Sequence, residues 1–167
     1  LKDVIRSTLK DVRKIIYDLR PMSLDDLGLI PTLERYISIF QEDTGIKVEL
    51  KTYGSINNIQ SPIQIALFRI AQESLSNIRK HSKATVATII LERSIERINL
   101  VITDDGVGFN VDELKKGNNS INSGFGLMNM KERVELLNGS FNITSSSRTG
   151  TKITLSIPLS EGISNEK

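Results

Sequence analysis

Two pairs of alternating runs constrain this chain most. "TVATIILER" and "RINLVITDD" are β-rich and separated only by the short polar turn at Ser94 to Glu96, and "SFNITSS" and "TKITLSIPLS" form a second adjacent pair near the carboxyl end. Strands joined by so short a turn return antiparallel, so each pair reads as a hairpin. In the last run Ile153, Leu155, Ile157 and Leu159 share one face, while Lys152, Thr154 and Ser156 share the other. That is the period of a strand with one buried side.

Helical patterns surround the hairpins. "LKDVIRSTLKDVRKIIYDLRP" carries Leu1, Ile5, Leu9, Val12, Ile16 and Leu19 at spacings of three or four, and Pro21 ends it. The stripe is narrow and its opposite face is charged, as in a helix that packs on a partner helix. "PMSLDDLG" reads as a turn, and a second helix is predicted from Ile30 or Pro31 to about Asp43, with Gly45 closing it. "IKVEL" alternates like a strand and "YGSINNI" is a polar loop. Ser61 and Pro62 read as an N-cap and first helical residue for the long helix "IQIALFRIAQESLSNIRKH". Residues 109–123 are polar, and "GLMNMKERVELLNG" is an amphipathic helix stopped at Asn138-Gly139. The closing "EGISNEK" is a solvated tail. Because the strands arrive as adjacent pairs, helices on one face of a mostly antiparallel sheet fit this order better than a doubly wound parallel sheet.

Composition removes several functions. At 167 residues the chain holds one compact domain plus an arm. It has no cysteine, which excludes disulfides, zinc–thiolate sites and cysteine nucleophiles, and its single histidine excludes a histidine-rich metal site. A net charge of +2, with Lys and Arg scattered among acids, argues against a nucleic-acid surface. No apolar run approaches the ~20 residues that cross a bilayer, and no signal peptide opens the chain. It begins at Leu1, without Met and already in helical register, so the expectation is a cytoplasmic fragment of something longer.

On the long helix, Leu67, Ala71, Ser74 and Ile78 form the core stripe at ~100° per residue. Glu73 and Asn77 lie on its flank, with Lys80 one turn on. A carboxylate, a carboxamide and an ammonium in a row suit a magnesium nucleotide, since carboxylate and amide oxygens are hard ligands and Lys meets phosphate. The same row also fits an ordinary amphipathic helix with a polar edge. In "LVITDDGVGF" an apolar strand ends at Asp104, followed by Gly106 and Gly108, whose lack of Cβ lets backbone approach a flat ligand. An ionised Asp accepts from the amino group of adenine and repels the carbonyl of guanine, although "DDG" is also a common turn. "SGFGLMNM" flanks Phe125 with Gly124 and Gly126 at a helix start, where free N–H groups can face an anion. It comes after a polar loop long enough to be a lid. Gly150-Thr151 opens the last strand, where the hydroxyl could reach a base or an ordered water.

The order of "QESLSNIRKH", "DDGVGF", polar lid, "GFGL" and "GTKITLSIPL" closely resembles the ATP-binding domain of the GHKL superfamily, over about residues 61–159. "YDLRPMSLDDLGL" is similar to the segment after the second dimerisation helix in the NarX- and DegS-like histidine kinases, which pair with LuxR-type response regulators. The resemblance implies a Bergerat α/β two-layer sandwich, a mixed and mostly antiparallel sheet preceded by a helical arm. The arm would be residues 1–22, the connecting turn and first helix 23–45, the ATP-binding domain 46–160 and the tail 161–167. It implies ATP and Mg²⁺ as cofactors. Asn77 would hold the magnesium that bridges the phosphates, with Glu73 beside it as a candidate catalytic group. Asp104 would take the adenine amino group, Gly106 and Gly108 would line the base, and Thr151 would support it. Gly124, Phe125, Gly126 and Leu127 would form the second glycine box. Lys80 would meet the phosphates; His81 would either join it or cap the helix.

The acceptor histidine would then lie upstream of Leu1, and His81 would not be that acceptor. Implied partners are the parent's own dimerisation region, a homodimer partner and a response regulator, with no nucleic acid and no membrane contact. The rival readings are another GHKL ATPase, an anti-sigma-type serine kinase, or a non-catalytic module that keeps the fold.

Overall fold

The computed structural model describes residues 22–111 and 125–159. The expected first helix, most of the polar loop with Gly124, and the tail lie outside the described residues.

Five strands make one mixed sheet in the order β1-β2-β3-β5-β4. They are β1 (Lys47–Tyr53), β2 (Val86–Arg93), β3 (Arg97–Asp104), β4 (Ser140–Ser145) and β5 (Thr151–Pro158). Both expected hairpins are present: β2 pairs antiparallel with β3 and β4 with β5. The hairpins join through β3 and β5, which are also antiparallel, with Leu100 opposite Leu155. β1 alone is parallel to its neighbour, Val48 lying beside Ala87. A parallel pair needs a long crossover, and the long helix supplies it.

The α-helices given in full among the described residues are α1 (Met22–Leu27), α2 (Leu29–Thr44), α3 (Ser61–Asn77) and α4 (Phe125–Glu135). Strand burial alternates strictly: Ala87, Ile89 and Leu91 on β2, Ile98, Leu100 and Ile102 on β3, and Ile153, Leu155 and Ile157 on β5 are buried. Against that face pack Leu29, Leu33, Ile37 and Phe40 of α2, Leu67, Phe68, Ile70, Ala71 and Leu75 of α3, and Met130 and Val134 of α4. Tyr36 meets Phe68 edge-on, with centroids 5.8 Å apart. At the sheet edge, the Gln41 side chain accepts the Val48 N–H at 2.8 Å, so α2 partly covers an edge that would otherwise invite another strand.

Local chemistry sets the ends. Gly45 takes φ +73° and donates its N–H to Gln41 O at 2.8 Å, the left-handed cap expected there. After α4, Asn138 adopts φ +54°, and the N–H groups of Gly139 and Asn138 return to Val134 O and Glu135 O at 2.9 Å each. These are the paired bonds of a Schellman stop, with Asn in place of Gly.

Three expectations are corrected. "PMSLDDLG" is not a plain turn, because Met22–Leu27 is helical and buries Leu24. Ser61 is inside its helix; Gln60 is the cap, its carbonyl accepting the Ile63 and Gln64 N–H groups. The long helix is not α-helical to its end, since Ile78–Ser82 is a π turn.

Candidate nucleotide site

Glu73 and Asn77 are half-buried on the last turns of α3, as expected for a flank beside the core stripe. Leu67, Ala71, Ser74 and Ile78 are all buried, so that stripe is real. The π turn then alters the register of the helix end. Its i→i+5 geometry is wider than an α turn, so each residue after Asn77 advances by less than 100°. Lys80 lies on this turn rather than on the α-helix that carries Glu73 and Asn77. Lys80 and His81 are both exposed on this turn. The helix end is closed by Ser82, whose Oγ donates to Ile78 O at 2.7 Å and accepts the Ala84 N–H at 2.9 Å. Lys83 takes the left-handed position at φ +55°. The capping role weighed for His81 belongs to these two residues.

β3 brings Asp104 to the same end of the sheet. It continues the side of Ile98, Leu100 and Ile102, so its carboxylate emerges at the rim of the core face. Partial burial raises its pKa above the usual carboxylate value. Hydrogen bonds from the Gly106 N–H, the Thr151 N–H and the Thr151 hydroxyl oppose that rise, and the Asp105 charge adds to it. The Gly106 bond is 2.8 Å. Asp105 does something different. Its exposed carboxylate accepts the Thr85 hydroxyl at 2.6 Å and the Thr85 and Val86 N–H groups at 2.8 and 2.9 Å, and its pKa is lowered, chiefly by the Thr85 hydroxyl. Asp105 staples the start of β2 to the end of β3, which leaves Asp104 for a ligand.

The glycines after Asp104 allow close contact with two other segments, the end of the α3–π segment and the β4–β5 turn. A Cβ on Gly106 would lie 2.7 Å from both Ser82 Cβ and Asp104 Oδ1. The neighbouring Val107 N–H donates to Ser82 O at 2.8 Å, so this loop is bound to the end of the α3–π segment. Gly108, at φ +63°, faces the carbonyls of Ser146 and Gly150. Gly150, at φ +72°, sits directly against the Asp104 carbonyl, where any Cβ would overlap it. Thr151 is thereby held beside Asp104.

On the other flank, α4 starts at Phe125. Gly126 is packed on the Glu73 carboxylate; a Cβ there would overlap Oε1 and lie 3.2 Å from Cδ. Leu127 is partly buried against the core, and the Ser74 hydroxyl meets Met130 Sδ at 3.7 Å. Asn77 thus stands on α3 between two junctions, Glu73 with Gly126 and Ser82 with Gly106. Gly124 and the Phe125 side chain are outside the described residues.

Two participants had no sequence signal beyond their residue type. Ser82 joins the helix end to the glycine loop. Ser145 accepts the Phe109 N–H at 2.9 Å, donates to Gly150 O at 2.9 Å and lies 3.1 Å from Thr151 Oγ1. Ser145 and Thr151 also line an open cavity of about 380 Å³ at this rim, together with Thr103, Asp104, Gly150 and Lys152. It takes in the Asp104 end of the constellation and not the Asn77 end. Hydrogen bonding and close packing, rather than that cavity's outline, define the extent of the site. Among the described residues no cluster of three or more His, Cys, Asp or Glu could hold a metal by itself, and no helix is long and apolar enough to cross a membrane.

Residues 63–161 match the family model "Histidine kinase-, DNA gyrase B-, and HSP90-like ATPase". The chain is 45% identical over 159 residues to the signal transduction histidine-protein kinase/phosphatase DegS of Brevibacillus brevis, covering 95% of this chain and 40% of that protein. It is 34% identical over 161 residues to the oxygen sensor histidine kinase NreB of Staphylococcus carnosus, covering 96% of this chain and 45% of that protein. The chain therefore spans less than half the length of these relatives. In structure it is similar to the histidine kinase domain of an Erythrobacter litoralis blue-light activated histidine kinase, with TM-score 0.58 and 22% identity over 81% of this chain and 64% of that one. The mycobacterial sensor histidine kinase MprB aligns with TM-score 0.56 and 21% identity, over 75% of this chain and 90% of that one. At these identities the two structures bear on the fold alone.

Proposed function

The chain belongs to the family of histidine kinase-, DNA gyrase B- and HSP90-like ATPases, and from that premise we propose that it is the ATP-binding catalytic portion of a two-component sensor histidine kinase. The observation that carries this reading is the setting of Asp104. It is a half-buried carboxylate at a strand end, with Gly106 and Gly150 packed around it and Thr151 beside it.

In that position Asp104 accepts a hydrogen bond from the amino group of adenine, and Thr151 supports the same edge. Gly106 and Gly108 let the base lie close to backbone. Asn77, and Glu73 one turn before it, face the phosphates from the α3 flank, and the N–H groups at the start of α4 approach from the other side. Gly124, Phe125, Gly126 and Leu127 serve as the second glycine box for the phosphates, as the resemblance implies. Lys80 serves the phosphates from the π turn, and His81 beside it is a second contact there.

The donor set fits magnesium carried in with the nucleotide. Asn77 and Glu73 offer the one or two hard oxygens that such an ion takes from protein, the rest coming from phosphates and water. When bound, it neutralises charge on the phosphates. The chain's own work is positioning. The γ-phosphorus leaves its bridging oxygen to ADP and bonds to an imidazole nitrogen of a histidine upstream of this chain. From there the phosphoryl group passes to an Asp of a response regulator, of the LuxR type by the similarity of residues 17–29. Catalysis does not rest on Glu73 as a base. Residues 1–22 then belong to the dimerisation region and its homodimer partner, residues 46–160 to the ATP-binding domain, and the whole works in the cytoplasm.

The test is transfer. Incubating this chain with γ-labelled ATP and a protein carrying the parent's upstream dimerisation segment should give an acid-labile, base-stable phosphoprotein. Label on serine, or ATP hydrolysis without transfer, would assign the chain to another branch of its family.

A further inference from the structure

The hydrogen-bond count around Ser145 assigns the direction of its contact with Thr151. A hydroxyl carries one donor and two acceptor positions. Ser145 Oγ accepts the Phe109 N–H and has its own proton directed at Gly150 O, both at 2.9 Å. At 3.1 Å, its remaining lone pair can only receive the proton of Thr151 Oγ1. The Thr151 hydroxyl is the smallest of the influences on the Asp104 carboxylate, whereas its oxygen lies within hydrogen-bond reach of Ser145. Thr151 therefore gives its proton to Ser145 and keeps its own lone pairs for the rim beside Asp104.

We propose that Ser145 is a specificity-positioning residue for the base. By accepting the Thr151 proton, it fixes Thr151 as an acceptor towards the pocket, so that Asp104 and Thr151 together demand an amino group. This inference rests on the adenine-nucleotide reading above and adds a residue to it. Ser145 touches no base itself and acts through Thr151. A purine with a 6-oxo group needs a donor at that edge. With Ser145 in place, Thr151 can offer one only by abandoning Ser145, which leaves a lone pair of a part-buried hydroxyl unfilled. The second consequence concerns the polar loop. The Phe109 N–H at its root is held by the same oxygen, so the residue that sets the Thr151 hydroxyl also anchors the start of the loop.

The test compares ATP with inosine triphosphate, which differs at the base by 6-oxo in place of 6-amino. Affinities for both nucleotides are measured with wild type, Ser145→Ala, Ser145→Thr, Thr151→Val and the double variant Ser145→Ala/Thr151→Val, with melting curves to establish folding. The expected result for Ser145→Ala is a fall of about tenfold in the ATP-to-inosine preference, with only a few-fold loss of ATP affinity. Ser145→Thr restores the preference because it keeps the hydroxyl. In the Thr151→Val background, Ser145→Ala changes the preference no further. An unchanged preference in folded Ser145→Ala overturns the proposal. So does an undiminished effect in the Thr151→Val background, since Ser145 would then not act through Thr151. If Ser145→Ala does not fold, a wild-type preference in folded Thr151→Val overturns it equally, because the acceptor that Ser145 sets would not matter. Wild type that binds ATP keeps the functional reading whatever the Ser145 result; wild type that binds neither nucleotide removes both.

Discussion

Gly45 and Gly150 both adopt positive φ, +73° and +72°, yet they should respond very differently to alanine. Around Gly45 nothing lies within 4 Å of an added Cβ, so Gly45→Ala bears only the left-handed backbone cost, about 1–2 kcal/mol. Around Gly150 the added methyl overlaps the Asp104 carbonyl oxygen, with Asp104 C at 2.9 Å and Gly106 N at 3.2 Å. These are backbone atoms of a strand end and cannot rotate away as a side chain would. Overpacking of this kind adds about 2 kcal/mol. At this chain length the difference is roughly 4–8 °C in melting temperature. Relief of the clash must also push Thr151 from Asp104, so ATP affinity should fall about tenfold or more in Gly150→Ala, the value of one hydrogen bond to a charged group. It should stay near wild type in Gly45→Ala. Differential scanning fluorimetry and nucleotide titration of both variants provide the check. Equal melting shifts with equal ATP affinities would refute the packing of Gly150 against Asp104.

The same geometry sets the remaining outcomes. Gly126→Ala meets the far end of the flexible Glu73 side chain rather than backbone and gains helix propensity worth about 1 kcal/mol; its melting temperature should hold or rise while phosphotransfer, assayed with γ-labelled ATP, changes as Glu73 is displaced. Asp104 has a pKa raised in the folded state, so the native chain holds more protons than the unfolded chain between the usual Asp value and the raised one; stability should fall as pH rises through that window, and Asp104→Asn should abolish the slope in pH-dependent denaturation. ATP affinity should move oppositely, weakening as pH drops through the raised value, because the protonated carboxyl no longer offers both oxygens to the base amino group. Asp105 has a lowered pKa, so its stabilisation is present above the usual Asp value and lost as pH falls through the lower one; Asp105→Ala should melt lower at neutral pH, through loss of its bonds to Thr85 and Val86, with little change in base preference.

The elements legible in the sequence were those whose pattern repeats or whose ends carry a residue of special conformation. The alternation in β2, β3 and β5 fixed two hairpins and the buried face, and Gly45 and Asn138-Gly139 marked helix stops that the structure closes with left-handed residues. Periodicity says nothing about which neighbour a strand takes, so the parallel pairing of β1 with β2 had no signal in the sequence. The π turn at Ile78–Ser82 was hidden because "IRKHS" contains neither Gly nor Pro, and its closure depends on one serine hydroxyl. In the site, Asp104 and its glycines stood out by residue type and order. What separated Asp104 from Asp105 was the partner set, Thr85 and Val86 for Asp105 and Thr151 for Asp104, and those partners are remote in the chain and adjacent only in the fold. Ser145 was illegible for the same reason, since a Ser among Ser146 and Ser147 gains its role only when Phe109 and Thr151 are folded onto it.

Calorimetric titration of the chain with Mg·ATP and Mg·GTP, alongside Asp104→Ala, separates an adenine pocket from a bare scaffold. Saturable ATP binding, weaker GTP binding, and loss of ATP binding in a folded Asp104→Ala variant are expected. A folded wild-type chain that binds no ATP, or that binds ATP and GTP alike with Asp104→Ala unchanged, would contradict that pocket.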